Sequence, residues 1–258
     1  TSRGPAVVGE IRAGANGLIG AEAVARAPAD GNTVLIGTNS SNAAASALFK
    51  RVPFDMENGF IPVSTIATVP LLVAVKADSP IKTVQEFVDF AKKNPGATVG
   101  GSGEPSANSL GTAAFAKLTG TKLTYISFTG SGAAVPALLG GHVVALMTYT
   151  SMAAEYPDKI RPLAVAAEKR AKALPDVPTF KELGFEYVEG AFRGVAVPPG
   201  TPGDVKKILE QAFAQVNQDP EVIKKMEDLG FIMEDYGEDA SRTLVKKWTV
   251  YYGNLLKE

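Results

Sequence analysis

Cysteine is absent from this chain and histidine occurs once, at His142. The first absence removes disulfides, thiolate nucleophiles and cysteine-ligated zinc. It fits a bacterial periplasm as well as a cytosol, so it leaves the compartment open. A lone imidazole excludes multi-histidine metal sites, and His142, following Gly140-Gly141 at the start of a strand, reads as a surface or capping residue. Neither sign of charge is in excess: 26 Lys+Arg against 27 Asp+Glu leave a formal net charge of -1. That argues against a nucleic-acid partner, without excluding a local basic pocket. No apolar run reaches the roughly 20 residues of a membrane span. The Gly-Lys-Ser/Thr ending of a phosphate-binding loop is missing, and no triad order is arguable. No metal, cofactor or catalytic residue is expected. The chain opens at Thr1 without a methionine or signal-peptide pattern, which reads as processed, trimmed or a fragment.

What is present describes a well-cored α/β chain. With 258 residues, 45% hydrophobic and 21% charged, it suits one large or two modest domains. Thr33-Val34-Leu35-Ile36-Gly37 reads as a buried parallel strand, and Leu71-Leu72-Val73-Ala74-Val75 reads similarly. Further strands are expected at 97–100, 123–128, 143–147, 162–166 and 231–233. Thr83-Val84-Gln85-Glu86 has capping-box spacing, after which Val84, Phe87, Val88 and Ala91 share one helical face that Asn94-Pro95-Gly96 stops. Thr179-Phe180-Lys181-Glu182 is a second such box, closed by Gly184. Pro136 either delays the helix after Ser131 or sits in its first turn. The C-terminal third is helical. Val205, Ile208, Leu209, Ala212, Phe213 and Val216 form a stripe read as core, and Leu244, Trp248, Tyr251 and Leu255 form the face of the last helix.

Sites in such folds lie beyond the carboxyl ends of strands. Two mouths follow: Gly37-Thr38-Asn39-Ser40-Ser41-Asn42, and the glycine-serine turn Gly100-Gly101-Ser102-Gly103-Glu104-Pro105-Ser106-Ala107-Asn108-Ser109. Each runs into a helix, where backbone N–H groups and the dipole favour an anion. Both also read as ordinary helix caps. Two polar loops imply a cleft between two lobes that holds an anion without changing it. Glu104 would repel a carboxylate, so it is expected to face solvent. The run Glu168-Lys169-Arg170-Ala171-Lys172 reads as a solvated face or a docking surface for a membrane component.

Three segments carry a likeness to a known family. They are Gly17-Leu18-Ile19-Gly20 through Arg26-Ala27-Pro28-Ala29-Asp30-Gly31, Ala173-Leu174-Pro175-Asp176-Val177-Pro178 through Leu183-Gly184, and Phe192-Arg193-Gly194-Val195 through Pro198-Pro199-Gly200-Thr201-Pro202. In order and spacing, from about Arg12 to the C-terminus, they resemble the Bug family, the extracytoplasmic receptors of tripartite tricarboxylate transporters. The resemblance implies a type II periplasmic binding protein of two α/β lobes, each a mostly parallel sheet flanked by helices. The expected division is residues 1–76 with 191–258 in one lobe and 77–190 in the other. Relatives carry a strand, a ligand loop and a helix before the segment matching Arg12, so a βα unit of roughly 30 residues is expected to be missing.

The family's ligand loops map onto Ser102, Gly103, Ser106 and Asn108 in the second lobe, and onto Thr38, Ser40 and Ser41 in the first. Thr129, Gly130 and Ser131 stand at a glycine-containing turn that can supply N–H donors or simply bend. Tyr149 and Thr150 end a strand at the cleft. Arg193, at the crossover between lobes, either pairs bidentately with a ligand carboxylate or forms an interlobe salt bridge. The implied function is a periplasmic, monomeric, non-enzymatic receptor. It would close around a dicarboxylate, aromatic acid or amino acid and deliver it to the transporter's membrane components. The alternatives are a sensor presenting its bound state to a signalling partner and, less favoured, a small-molecule enzyme.

Overall fold

The computed structural model describes residues 6–12, 14, 17–42, 52, 54, 55 and 59–255, with the side chains of Ser40, Asn42 and Leu255 outside the described set. The organising element is β2 (Ile61–Lys76), a 16-residue strand that takes part in two sheets. Its first part, up to Pro70, pairs with β7 (Gly190–Val197) and, over a shorter stretch, with β8 (Ile232–Tyr236). From Leu71 onwards its partners are β5 (Ala145–Tyr149) and β6 (Ile160–Val165). β1 (Leu35–Gly37) extends the first sheet beside β7. β3 (Ala97–Ser102) and β4 (Leu123–Phe128) extend the second beyond β5.

The exchange of neighbours is written into two residues. Pro70 has no N–H to give to a ladder, and it stands where pairing with β7 ends. Opposite it lies Gly190, where an added Cβ would sit 2.8 Å from the Val69 carbonyl oxygen and 3.0 Å from Pro70 Cα. Only glycine lets the two strands approach so closely here.

The α/β class stands, and the expected parallel pairing is corrected. Five of the seven pairings among the described residues are antiparallel, and each of the five involves β2 or β7. Only β3 with β4 and β3 with β5 run parallel. An apolar run such as 71–75 signals burial on both faces, which a strand central to two sheets has whatever its direction. β1 is likewise antiparallel to β7 and not fully buried: Ile36 is 53% exposed, on the face opposite the buried Leu35.

Helices cover the second sheet on both faces. α3 (Val84–Lys93) follows α1 (Leu18–Ala25) and α2 (Asn39–Asn42) in chain order. Its Thr83–Glu86 capping box and its buried Val84, Phe87, Val88 and Ala91 are as the sequence predicts. With α4 (Ala107–Thr119) it buries Phe87 and Phe115 beside Phe180 and Tyr187. α5 (Ser131–Leu139) and α6 (Thr150–Glu155) cover the other face with Ala134, Val135, Leu138 and Ala153. Pro136 neither delays α5 nor sits in its first turn. It lies inside the helix.

The C-terminal part holds α7 (Gly203–Gln218), α8 (Pro220–Asp228) and α9 (Glu238–Leu255). The α7 stripe is only half core. Leu209 and Phe213 pack on Val63, Val195 and Val197, while Ile208 and Val216 are exposed. In α9, Trp248 and Tyr251 pack with Leu110 of α4 around the fully buried Tyr252, so the last helix leans on both sheets' surroundings.

Candidate functional site

Because β3, β4 and β5 run parallel, their carboxyl ends at Ser102, Phe128 and Tyr149 open on the same side. The turn after β3 is braced by its own groups. The Gly103 N–H donates to Phe128 O and the Ser106 N–H to Ser109 Oγ, both at 2.8 Å. Ser106 is the N-cap of α4, and its hydroxyl donates to Ser102 O. Asn108 is fully buried with both ends of its amide engaged: Nδ2 donates to Met147 O, and Oδ1 accepts from the Ser102 hydroxyl. The Tyr125 hydroxyl donates to Ser102 O. Gly101 is required by this packing, since a Cβ there would meet the Tyr125 hydroxyl at 2.5 Å and Met147 O at 2.9 Å. Gly100 and Gly101 therefore serve close strand packing. Glu104 is exposed, as expected.

The neighbouring turns differ. Thr129 is exposed, Gly130 is the N-cap of α5 with no side-chain cap bond, and Ser131 opens the helix. Gly130 has an extended backbone at φ -177 and open space around its Cα, so glycine's flexibility is not what the turn uses. Tyr149 ends β5. Thr150 is buried, and its hydroxyl donates to Gly230 O in the turn before β8, a bond that ties the second sheet to the first.

In the first lobe's loop, the Thr38 N–H donates to Ser41 Oγ, and Ser41 is buried. Ser40 lies in α2 with its side chain outside the described residues. Between Thr38 and Ser40, Asn39 is 1% exposed and makes three bonds to two elements, β7 and α9. Its Nδ2 donates to Gly190 O at 2.8 Å and to the Tyr252 hydroxyl at 2.9 Å, while its Oδ1 accepts from Phe192 N at 2.8 Å.

Arg193 sits on β7, three residues beyond the crossover. Its guanidinium lies 5.7 Å from the Phe231 ring centroid and donates to Phe192 O at 3.1 Å. No carboxylate among the described residues pairs with it, so the alternative of an interlobe salt bridge has no partner there. Burial lowers its pKa, and Tyr149 acts in the opposite sense. The Tyr149 hydroxyl is pushed up to about 12 by burial, against Arg193 and with Glu189. Tyr149 also bears on Tyr125, whose own pKa burial raises. The phenol thus links the arginine, the β3 turn and the crossover. Tyr125, Glu189, Phe231 and Tyr252 belong to this region and escaped sequence reading, and Asn39 was named there only as part of its loop. Away from it, His142 is exposed, and the basic run is a solvated face: Arg170 pairs with Glu182 at 3.0 Å and Lys172 with Glu227 at 2.7 Å.

Two α/β sheets joined by a crossing strand make the fold that solved periplasmic binding proteins share with this chain. The chain belongs to the tripartite tricarboxylate transporter family of receptors: that family's profile, "Tripartite tricarboxylate transporter family receptor", matches residues 2–248. It is 30% identical to protein BugT of Bordetella pertussis over 257 residues, covering 91% of this chain and 77% of that one. Among solved structures it is similar to R. palustris Rpa4515 with adipate, at a TM-score of 0.89 and 28% identity over 95% of this chain and 84% of that one. It is also similar to MatC from Rhodopseudomonas palustris with bound malate, at 0.82 and 26% over 94% and 85%. No described helix is long and apolar enough to cross a membrane.

Proposed function

We propose that this chain is a periplasmic receptor, not an enzyme, that captures a small carboxylate between two lobes and passes it to the membrane components of its transporter. The lobes are residues 1–76 with 191–258 and residues 77–190, with the last part of β2 running on into the second sheet. The observation that carries the reading is Arg193: a half-buried guanidinium, without a carboxylate partner among the described residues, beside the Tyr149 hydroxyl. A buried cation kept without an anion is costly, and a ligand carboxylate would complete it with charge-assisted bonds. The first turn of α5, at Thr129, Gly130 and Ser131, has no side-chain cap and offers N–H donors to a second carboxylate or to bridging water. Adipate and malate in the related structures support a dicarboxylate. The half-buried ring of Tyr149 keeps aromatic acids and amino acids in the test.

Binding would favour closure because the ligand touches both lobes only when they approach. The braced β3 turn, with Ser102, Gly103, Ser106 and Asn108, would shape one wall; Thr38, Ser40 and Ser41 would shape the opposite one. Calorimetric titration with adipate, malate, benzoate and glutamate tests the reading. Saturable binding of one acid by the monomeric chain, lost in Arg193→Ala while the melt stays cooperative, is the expected result. Binding unchanged in Arg193→Ala would remove the arginine from the site.

A further inference from the structure

At the point where the chain returns from the second sheet to the first lies Glu189, a carboxylate 2% exposed to solvent. Its backbone belongs to the crossover: its N–H donates to Ala166 O at 3.0 Å and its carbonyl accepts from Leu71 N at 2.9 Å. One side-chain oxygen, Oε1, accepts from the Tyr252 hydroxyl at 3.3 Å. The other, Oε2, is buried without any hydrogen-bond partner. Tyr252 in turn is held by Asn39, which also bonds Gly190 and Phe192. The carboxyl therefore stands where α2, α9 and the crossover meet.

The groups facing it are phenols and backbone. α9 contributes Tyr251 and Tyr252, the segment before β7 contributes Tyr187, and β5 contributes Tyr149. α2 brings the neutral Asn39, and α4 brings Gly111, close to the Glu189 side chain. No lysine, arginine or histidine among the described residues pairs with it; Arg193 enters the network through Tyr149. An unpaired carboxylate buried among neutral groups is held protonated to higher pH, and burial pushes Glu189 up to about 7.

Resting on the carboxylate reading above, we infer that Glu189 is a proton-binding group coupled to the ligand, so that capture of the anion is accompanied by proton uptake at the crossover. The coupling is electrostatic. Glu189 immediately precedes β7, which carries Arg193, and its partner Tyr252 is held by the Asn39 that also accepts from the Phe192 N–H beside Arg193, so an anion seated on Arg193 and Tyr149 lies within the field of Glu189. Like charges in one low-dielectric region oppose each other, so the bound anion favours the neutral acid. Reciprocally, the neutral acid favours the anion. Affinity is therefore high below the Glu189 transition and weaker above it.

The test is calorimetric titration of the whole chain with adipate and with malate from pH 6 to pH 8.5, above the acids' own titration. Each pH is run in two buffers of different ionisation enthalpy. The expected result is an affinity falling about fivefold across this range, with fractional proton uptake near pH 7. Glu189→Gln should show neither effect. Tyr252→Phe, which removes the phenol that donates to Oε1 while keeping the ring, should move the transition to higher pH. Acids that bind with the same pH dependence in wild type and Glu189→Gln overturn the coupling and leave the carboxylate receptor standing. If neither acid binds at any pH, the dicarboxylate reading fails, and the coupling fails with it.

Discussion

The turn from β3 into α4 and the crossover around β7 both bury polar groups, and they are built on opposite terms. In the turn, Ser102, Ser106, Asn108 and Ser109 bond one another, the backbone and Tyr125. At the crossover, Arg193 has no carboxylate partner among the described residues and Glu189 Oε2 has no donor. Buried polar groups are normally matched, and those left unmatched lower stability. A matched network holds a shape. An unmatched one marks where something outside the chain completes the bonding, so the ligand's charge is expected at the crossover and its wall at the turn.

The contrast breaks most sharply under paired substitution. Arg193→Ala should weaken carboxylate binding by about 100-fold, roughly 3 kcal/mol, with urea stability unchanged or slightly raised because a desolvated cation is gone. Asn108→Ala should do the reverse: it strands Met147 O and the Ser102 hydroxyl and lowers stability by about 2 kcal/mol or more. The acid that still binds Asn108→Ala should bind with affinity close to that of the wild type. Swapped outcomes in urea melts and titrations would place the charge-reading group in the turn.

Stability against pH sharpens the same comparison without a ligand. Glu189 in the folded chain is raised from an ordinary 4.5 to about 7. A raised folded pKa means that the native state holds the proton more tightly, so its contribution is full below the unfolded value and disappears as pH rises through the folded one. Between about pH 4.5 and 7 the wild type should lose roughly 3 kcal/mol that Glu189→Gln does not lose. The check is urea midpoints at pH 5, 6, 7 and 8. Parallel curves for the two proteins would mean that Glu189 titrates as an ordinary carboxylate.

How much of this was legible in the sequence depended on the distance between partners. The Thr83–Glu86 box and the Thr179–Glu182 pair lie three residues apart, and both form as read, the second around a 3-10 turn closed by Gly184. Tyr149 was singled out because strand ends point to sites, and Arg193 because it follows Phe192 at the crossover between lobes. Asn39 and Glu189 were not, because Asn39 meets Gly190 and Tyr252 across 151 and 213 residues, which leaves no local pattern. The packing need for Gly101 was hidden for a related reason: the atoms a Cβ would meet there, the Tyr125 hydroxyl and Met147 O, come from other strands.

Smaller effects test the edges of the comparison. Thr150→Val removes the hydroxyl bond to Gly230 O that ties the two sheets, and should cost about 1 kcal/mol in urea. Gly130→Ala is smaller still. Its backbone is extended and a Cβ would meet nothing within 4 Å, so stability should stay within about 0.5 kcal/mol of the wild type. The substitution keeps every N–H at the start of α5, so a ligand that uses only those donors should also bind as before. Should the titration show weaker binding with an unchanged melt, the ligand must approach the Gly130 Cα itself. The glycine would then be there for the guest and not for the fold, which extends the unmatched region from the crossover to the mouth of α5.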